Sequence, residues 1–275
     1  MASVVPISIK KVNASGIIDE QDLLATEEPL EIRLEYGTAK TLVTKNISVT
    51  MRTPGNDAEL ASGFLYTEGI IKSYTDISSI THCGKNKDNI ICVRLKEDLI
   101  PEVGKLERNF YTTSSCGVCG KASIESVKTV CTLPESFDKI RVAANLIYSL
   151  PSILRSKQDV FENTGGLHAC GLFDTMGNLL LMREDVGRHN ALDKLIGASM
   201  AAGYMPLNQY ILLLSGRASF ELVQKAVMAG INIVAAVGAP SSLAAEMAEE
   251  WGMTLIGFLR GERFNIYSGA ERILI

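Results

Sequence analysis

Hydrophobic and polar positions along this chain change their rhythm about midway. In the first part, residues 30–36, 40–51 and 90–95 are short β-prone runs separated by turn residues, and 108–113 repeats the pattern more weakly. One helix interrupts them. Thr53-Pro54-Gly55 forms a turn, Asn56 is placed to cap, and Glu59 stands three residues on in the capping-box position. An apolar face then runs through 58–66, and Gly69 is suited to end the helix. Residues 140–157 have helical spacing, with Pro151 expected to break or kink them.

After that the pattern alternates. Residues 167–173 and 179–182 read as strands around the turn Met176-Gly177-Asn178. A helix over 189–200, a strand over 210–214 and a helix over 219–229 follow, then a buried strand over 231–237, a helix over 242–251 and a last core strand over 254–259. Strands alternating with helices predict an α/β fold whose largely parallel sheet is covered on both faces. A boundary between residues 112 and 140 divides the chain. This gives a β-rich N-terminal domain (1–112), a connecting segment (113–139) and an α/β domain (140–275). No internal repeat or low-complexity tract is visible.

Composition narrows the function classes. A chain of 275 residues, 47% hydrophobic and 21% charged, can bury a proper core. Its net charge of -4 argues against a nucleic-acid binder, while leaving room for a local basic site. The first ten residues have no basic stretch followed by an apolar one, and the longest apolar runs, 210–214 and 233–237, are strand-sized. A cytoplasmic protein without membrane contact is therefore expected. Its six cysteines should be mostly reduced, with no structural disulfide framework.

Two of those cysteines carry the sharpest chemical signal. Cys116 and Cys119 lie in Ser114-Ser115-Cys116-Gly117-Val118-Cys119-Gly120-Lys121. The attacking species is a thiolate, and a nearby lysine lowers a cysteine pKa. The pair suits a sulfur-carrying nucleophile with a resolving partner, a redox couple, or half of a zinc site whose other ligands no second C-x-x-C supplies. Cys92 and Cys170 sit in apolar strand patterns and read as small core residues, and nothing around Cys83 or Cys131 adds chemistry.

Three further segments are polar where strands end. Residues 183–194 pack Asp185, Arg188, His189, Asp193 and Lys194 around Gly187, either as a solvated turn or as the wall of a ligand crevice. Ser215-Gly216-Arg217 leads into another helix and forms an anion site with an added cation. Phe258-Leu259-Arg260-Gly261-Glu262-Arg263 offers two arginines and an aromatic ring for phosphate and base. His168 is a catalytic, structural or pocket residue. With no GxxxxGK[ST], GxGxxG or H-E-x-x-H, the chain supports neither a nucleotide hydrolase, a nicotinamide enzyme nor a metallohydrolase.

Together these motifs resemble the FdhD/NarQ family of formate dehydrogenase accessory sulfurtransferases. The resemblance starts at Arg52-Thr53-Pro54-Gly55 with Glu59-Leu60-Ala61 and Gly63-Phe64-Leu65, and passes through 113–120 and Thr164-Gly165-Gly166-Leu167-His168-Ala169. It continues through 184–194, Ser215-Gly216-Arg217, Ala239-Pro240-Ser241 and Gly257-Phe258-Leu259-Arg260. Asn56 and Cys170 depart from the usual residues, His and Ala. The resemblance implies a three-layer α/β/α, cytidine-deaminase-like C-terminal domain without the deaminase zinc signature. It implies that sulfur arrives as a persulfide from a cysteine desulfurase. The sulfur then passes to the molybdenum (or tungsten) bis(molybdopterin guanine dinucleotide) cofactor, bound as substrate, before insertion into formate dehydrogenase. Cys116 would hold the persulfide and Cys119 would assist or share the role. Arg188, His189, Arg217 and residues 258–263 would bind the cofactor, and Asp193 or Glu221 would read the guanine edge. A homodimer would offer one site per guanine arm, and no permanently bound metal is expected. The rival reading is a cofactor-binding chaperone whose C-x-x-C is a zinc or docking site, followed by a thiol-disulfide oxidoreductase.

Overall fold

The computed structural model describes residues 3–38, 40–84, 88–97, 99, 101, 140–158 and 164–275. Cys116, Cys119 and Cys131 lie outside the described residues, as does the strand expected over 108–113.

The chain begins with an antiparallel hairpin of β1 (Val4–Asn13) and β2 (Gly16–Ala25), a two-stranded sheet of its own with most side chains exposed. A four-stranded sheet follows, in the order β4-β3-β6-β5, built from β3 (Glu28–Tyr36), β4 (Val43–Arg52), β5 (Ile77–His82) and β6 (Ile90–Leu95). Its inner face carries Leu30, Ile32, Leu34, Ile91 and Val93 against helix α1 (Asp57–Thr67). Asn56 does not cap this helix with its side chain. Its backbone is left-handed (φ 59°), away from the extended geometry that aims a cap at the first turn. Glu59 reaches across to pair with Arg183.

The second half forms a six-stranded sheet in the order β13-β12-β11-β10-β8-β9. Its strands are β8 (His168–Phe173), β9 (Leu179–Asp185), β10 (Ile211–Leu214), β11 (Ile233–Ala236), β12 (Thr254–Arg260) and β13 (Arg263–Ser268). Only the neighbouring pairs β10–β11 and β11–β12 are parallel, so the sheet is mixed where a largely parallel one was expected. The cause lies in the connections: β8–β9 and β12–β13 are joined by tight turns, which return the chain antiparallel.

Both faces of this sheet are covered, and period 2 along each strand sorts the side chains. Leu212, Leu214, Val234 and Ala236 face helices α3 (Arg188–Ala201), α4 (Phe220–Met228) and α5 (Ser242–Glu250) in a core continuous with α1 and the first sheet. Ile211, Leu213, Ile233 and Ala235 face α2 (Ala144–Arg155) on the other side. The helix expected from residue 140 starts four residues later. Val142 and Ala143 form β7 instead, paired with β14 (Ile273–Leu274), which buries Ile140 and Val142. Pro151 does not end α2, because Ile147, Leu150 and Leu154 anchor both of its halves in the same core.

Helices α1 and α3 touch backbone to backbone. A Cβ on Gly63 would collide with the carbonyl of Asp193, and one on Gly197 with the carbonyl of Glu59. Two glycines therefore set how closely these helices cross.

Candidate functional site at one edge of the mixed sheet

The topology gathers the polar segments at one edge. β9, β10, β11 and β12 all end there, and β8 begins there at His168. The turns beyond these strands are stitched side by side. Ser215 N–H donates to the Ala169 carbonyl (2.9 Å), and Ser215 Oγ accepts from Ala169 N–H (2.8 Å). Gly238 N–H donates to the Gly216 carbonyl (2.9 Å), and Phe258 N–H donates to the Gly238 carbonyl (3.0 Å). The stitching requires Gly238: a Cβ there would sit 3.0 Å from the Gly216 carbonyl oxygen and from Arg217 Cγ.

Asp185 is the hub of the wall beside this edge. It is fully buried, and its Oδ1 accepts from Gly187 N–H (2.8 Å) and Asn190 Nδ2 (3.1 Å). Its Oδ2 accepts from Thr53 N–H (3.2 Å) and pairs with Lys194 Nζ at 2.7 Å. Lys194 also donates to the Thr53 carbonyl (2.8 Å), and Val186 N–H donates to Thr53 Oγ1 (3.1 Å). The Arg52-Thr53 segment from the first half is thereby built into the crevice wall.

Arg188 is half-buried and Arg217 exposed at this edge. Arg188 and Arg217 act on His168, whose pKa is lowered first by burial and then by these two arginines, against an upward pull from Asp185. His189 Nε2 lies 3.5 Å from Ser219 Oγ and 3.8 Å from Glu221. Burial, helped by Arg188 and Lys225, pushes its pKa down to about 3. At neutral pH both imidazoles are uncharged, and Arg188 and Arg217 supply the positive field. That arrangement attracts phosphate or another anion.

The β12–β13 hairpin projects beyond the last β11 pairing and ends in the Arg260–Arg263 pair. Arg260, Gly261, Glu262 and Arg263 are exposed there, whereas Leu259 turns into the core under α2. Phe258 is exposed and carries a left-handed backbone (φ 53°), an uncommon state for an aromatic residue, held by its bond to Gly238. Asp193 and Lys194 are buried, Lys194 within the wall against Asp185 and Thr53. Asp193 is locked by Lys225 (3.0 Å) and Thr67 Oγ1 (2.8 Å), where burial raises its pKa against the pull of Lys225. The expectation that Asp193 reads a guanine edge has no geometric room, and Glu221 is the acid left near the crevice.

Cysteine usage differs from the expectation. Cys83 and Cys92 form a disulfide across β5 and β6, so Cys92 is not a plain core thiol. The two residues meet diagonally across a strand pair, and β5, with Ser78-Ser79 inside it, lacks the apolar alternation that predicts a strand. Cys170 is buried as expected, its thiol pKa pushed far up by burial and then by Asp193 and Asp185. Among the described residues no group of three or more His, Cys, Asp and Glu could hold a metal ion, and no helix is long and apolar enough to cross a membrane.

A model of the FdhD/NarQ family matches residues 25–274. A protein of Mycolicibacterium paratuberculosis named sulfur carrier protein FdhD is 51% identical over 271 residues, covering 96% of this chain and 97% of its own. A protein of the same name from Sulfurisphaera tokodaii is 46% identical, covering 98% of each chain. A crystal structure from Desulfotalea psychrophila, described as a candidate formate dehydrogenase accessory protein, superposes with a TM-score of 0.76. It covers 99% of this chain and 100% of its own at 24% identity, a likeness of fold.

Proposed function

The chain belongs to the FdhD/NarQ family, and from that premise we propose that it carries sulfur during formate dehydrogenase maturation. The sulfur comes from a cysteine desulfurase and goes to a molybdenum bis(molybdopterin guanine dinucleotide) cofactor held as substrate. The observation that carries this reading is the crevice, where Arg188 and Arg217 stand among turns that approach closely at Gly216 and Gly238. Uncharged His168 and His189 leave the anion attraction to the arginines. Arg260 and Arg263 lie on the adjoining hairpin, and the Phe258 ring is displayed for stacking on a base.

The sulfur step falls to Cys116. Its thiolate attacks the terminal sulfur of the desulfurase persulfide; a new S–S bond forms, the donor's S–S bond breaks, and the donor cysteine leaves as thiolate. Cys119 resolves the adduct. Its thiolate attacks Cys116 Sγ, hydrosulfide departs toward the molybdenum, and the two cysteines remain as a disulfide, which a thiol reductant must reopen before the next turnover. A two-fold dimer presents one crevice to each guanine arm.

Intact mass after incubation with a cysteine desulfurase and cysteine tests the proposal. A one-sulfur adduct that reductant removes and Cys116→Ala abolishes is expected, with guanosine diphosphate binding intact in that variant. Zinc bound through Cys116 and Cys119, with no adduct, would replace this reading with the cofactor-binding chaperone.

A further inference from the structure

The Cys83–Cys92 disulfide stands apart from the sulfur chemistry above, and its neighbours connect it to the crevice. Cys83 continues the β5 ladder, its N–H donating to the Ile90 carbonyl (3.0 Å), and it meets Cys92 diagonally across the pair. The two sulfurs are unequally placed. Cys83 is half-buried on the edge strand of its sheet, while Cys92 is only 6% exposed on the inner strand. An incoming thiolate therefore reaches Cys83 first.

The residue before Cys83, His82, is exposed at the end of the edge strand β5. His82 Nε2 lies 3.6 Å from Asp57 Oδ2. The Asp57 carboxylate holds the fully buried Arg52 through two bonds, 2.9 Å to Nε and 3.0 Å to Nη2. The next residue, Thr53, makes the three bonds to Asp185, Val186 and Lys194 that tie this segment to the crevice wall. Only His82, Asp57 and Arg52 separate the disulfide from that wall. Arg52 Nη2 also donates to the Asp88 carbonyl (3.1 Å) and to Asn89 Oδ1 (3.3 Å), while Nη1 has no hydrogen bond and lies 3.7 Å from Glu28.

We propose that Cys83–Cys92 is a second sulfur site, a reversible disulfide that a dithiol reductant opens and whose state is read at the crevice wall. One thiolate of the dithiol attacks Cys83 Sγ, the Cys83–Cys92 bond breaks, and Cys92 leaves as thiolate. The second thiol then attacks the dithiol's own sulfur in the mixed disulfide and releases Cys83. The reductant departs as its disulfide, and two electrons with two protons have moved onto the protein. With the tie released, the end of β5 loosens, His82 leaves Asp57, and Arg52 and Thr53 lose part of their hold on Asp185 and Val186.

Native-state hydrogen exchange of the full chain tests this without any ligand. The Thr53 and Val186 amides report directly on the bonds at issue, and the Leu212, Leu213 and Leu214 amides report on global opening. Dithiothreitol treatment under native conditions, checked by alkylation and mass mapping of Cys83 and Cys92, should speed exchange at Thr53 and Val186 by about fivefold or more, leaving the β10 amides unchanged. Cys83→Ser with Cys92→Ser should reproduce the faster exchange with no reductant present. His82→Ala should do so with the disulfide still closed, which a mere staple between β5 and β6 does not predict. A pair that resists dithiothreitol in the folded protein overturns the proposal. So does a pair that opens while both amides exchange as before.

Discussion

Helix α3 carries two charged regions that look alike in sequence and behave differently in space. At its first turn Arg188 and His189 border the crevice, partly open to solvent. One turn later Asp193 and Lys194 are sealed, one paired with Lys225 and the other with Asp185. The first region keeps its positive charge available to a ligand; the second spends all its charge internally, fastening α3 to α1, α4 and the Thr53 segment. Charge density in a sequence does not mark a binding site: it marks one only where the partners are missing from the protein itself.

The sharpest way to break the contrast is at the fastening. Gly63→Val places a side chain against the Asp193 carbonyl, where backbone must yield. Chemical denaturation should show a loss of at least about 3 kcal/mol or an unfolded protein. Lys225→Met leaves Asp193 buried without its cation, at a cost of about 3–5 kcal/mol, and adding Asp193→Asn should recover part of it. Full additivity in that double-mutant cycle would mean the pair is not coupled.

His189 sharpens the comparison through pH. Its folded pKa of about 3 lies below the ordinary value of 6.5, so between those values the unfolded chain binds the proton more readily. Its contribution to stability is full above about pH 6.5 and drains as pH falls toward 3. At pH 5 the loss is about 2 kcal/mol, and His189→Gln should flatten that part of the acid limb in a denaturation series. His168 acts in the same sense.

Arg217→Ala should have the smallest effect, and only on binding. The residue is exposed, so melting should shift little, while guanosine diphosphate affinity measured by calorimetry should fall about tenfold, or ~1.4 kcal/mol. Unchanged affinity would remove Arg217 from the crevice's charge.

Much of this was legible in the chain. The alternation of strands and helices after residue 167 follows from apolar runs of strand length bounded by glycine, and the polar turns at their ends fall at one sheet edge, as open α/β sheets arrange them. The division within α3 was not legible. From Asn190 to Met200 every residue of that helix is buried, so no polar face separates Asp193 from His189. β1 and β2 leave no strand signature in the sequence because a largely exposed hairpin has no inward face to impose alternation. β5, on a sheet edge, has the polar run Ser78-Ser79 within it, and without that strand the meeting of Cys83 with Cys92 has no register to predict it.

Cys170 lies two residues along β8 from His168, and its thiol stays protonated throughout the physiological range. Under the proposed sulfur-carrier role, a labile sulfur atom brought to this edge would meet no competing thiolate at Cys170.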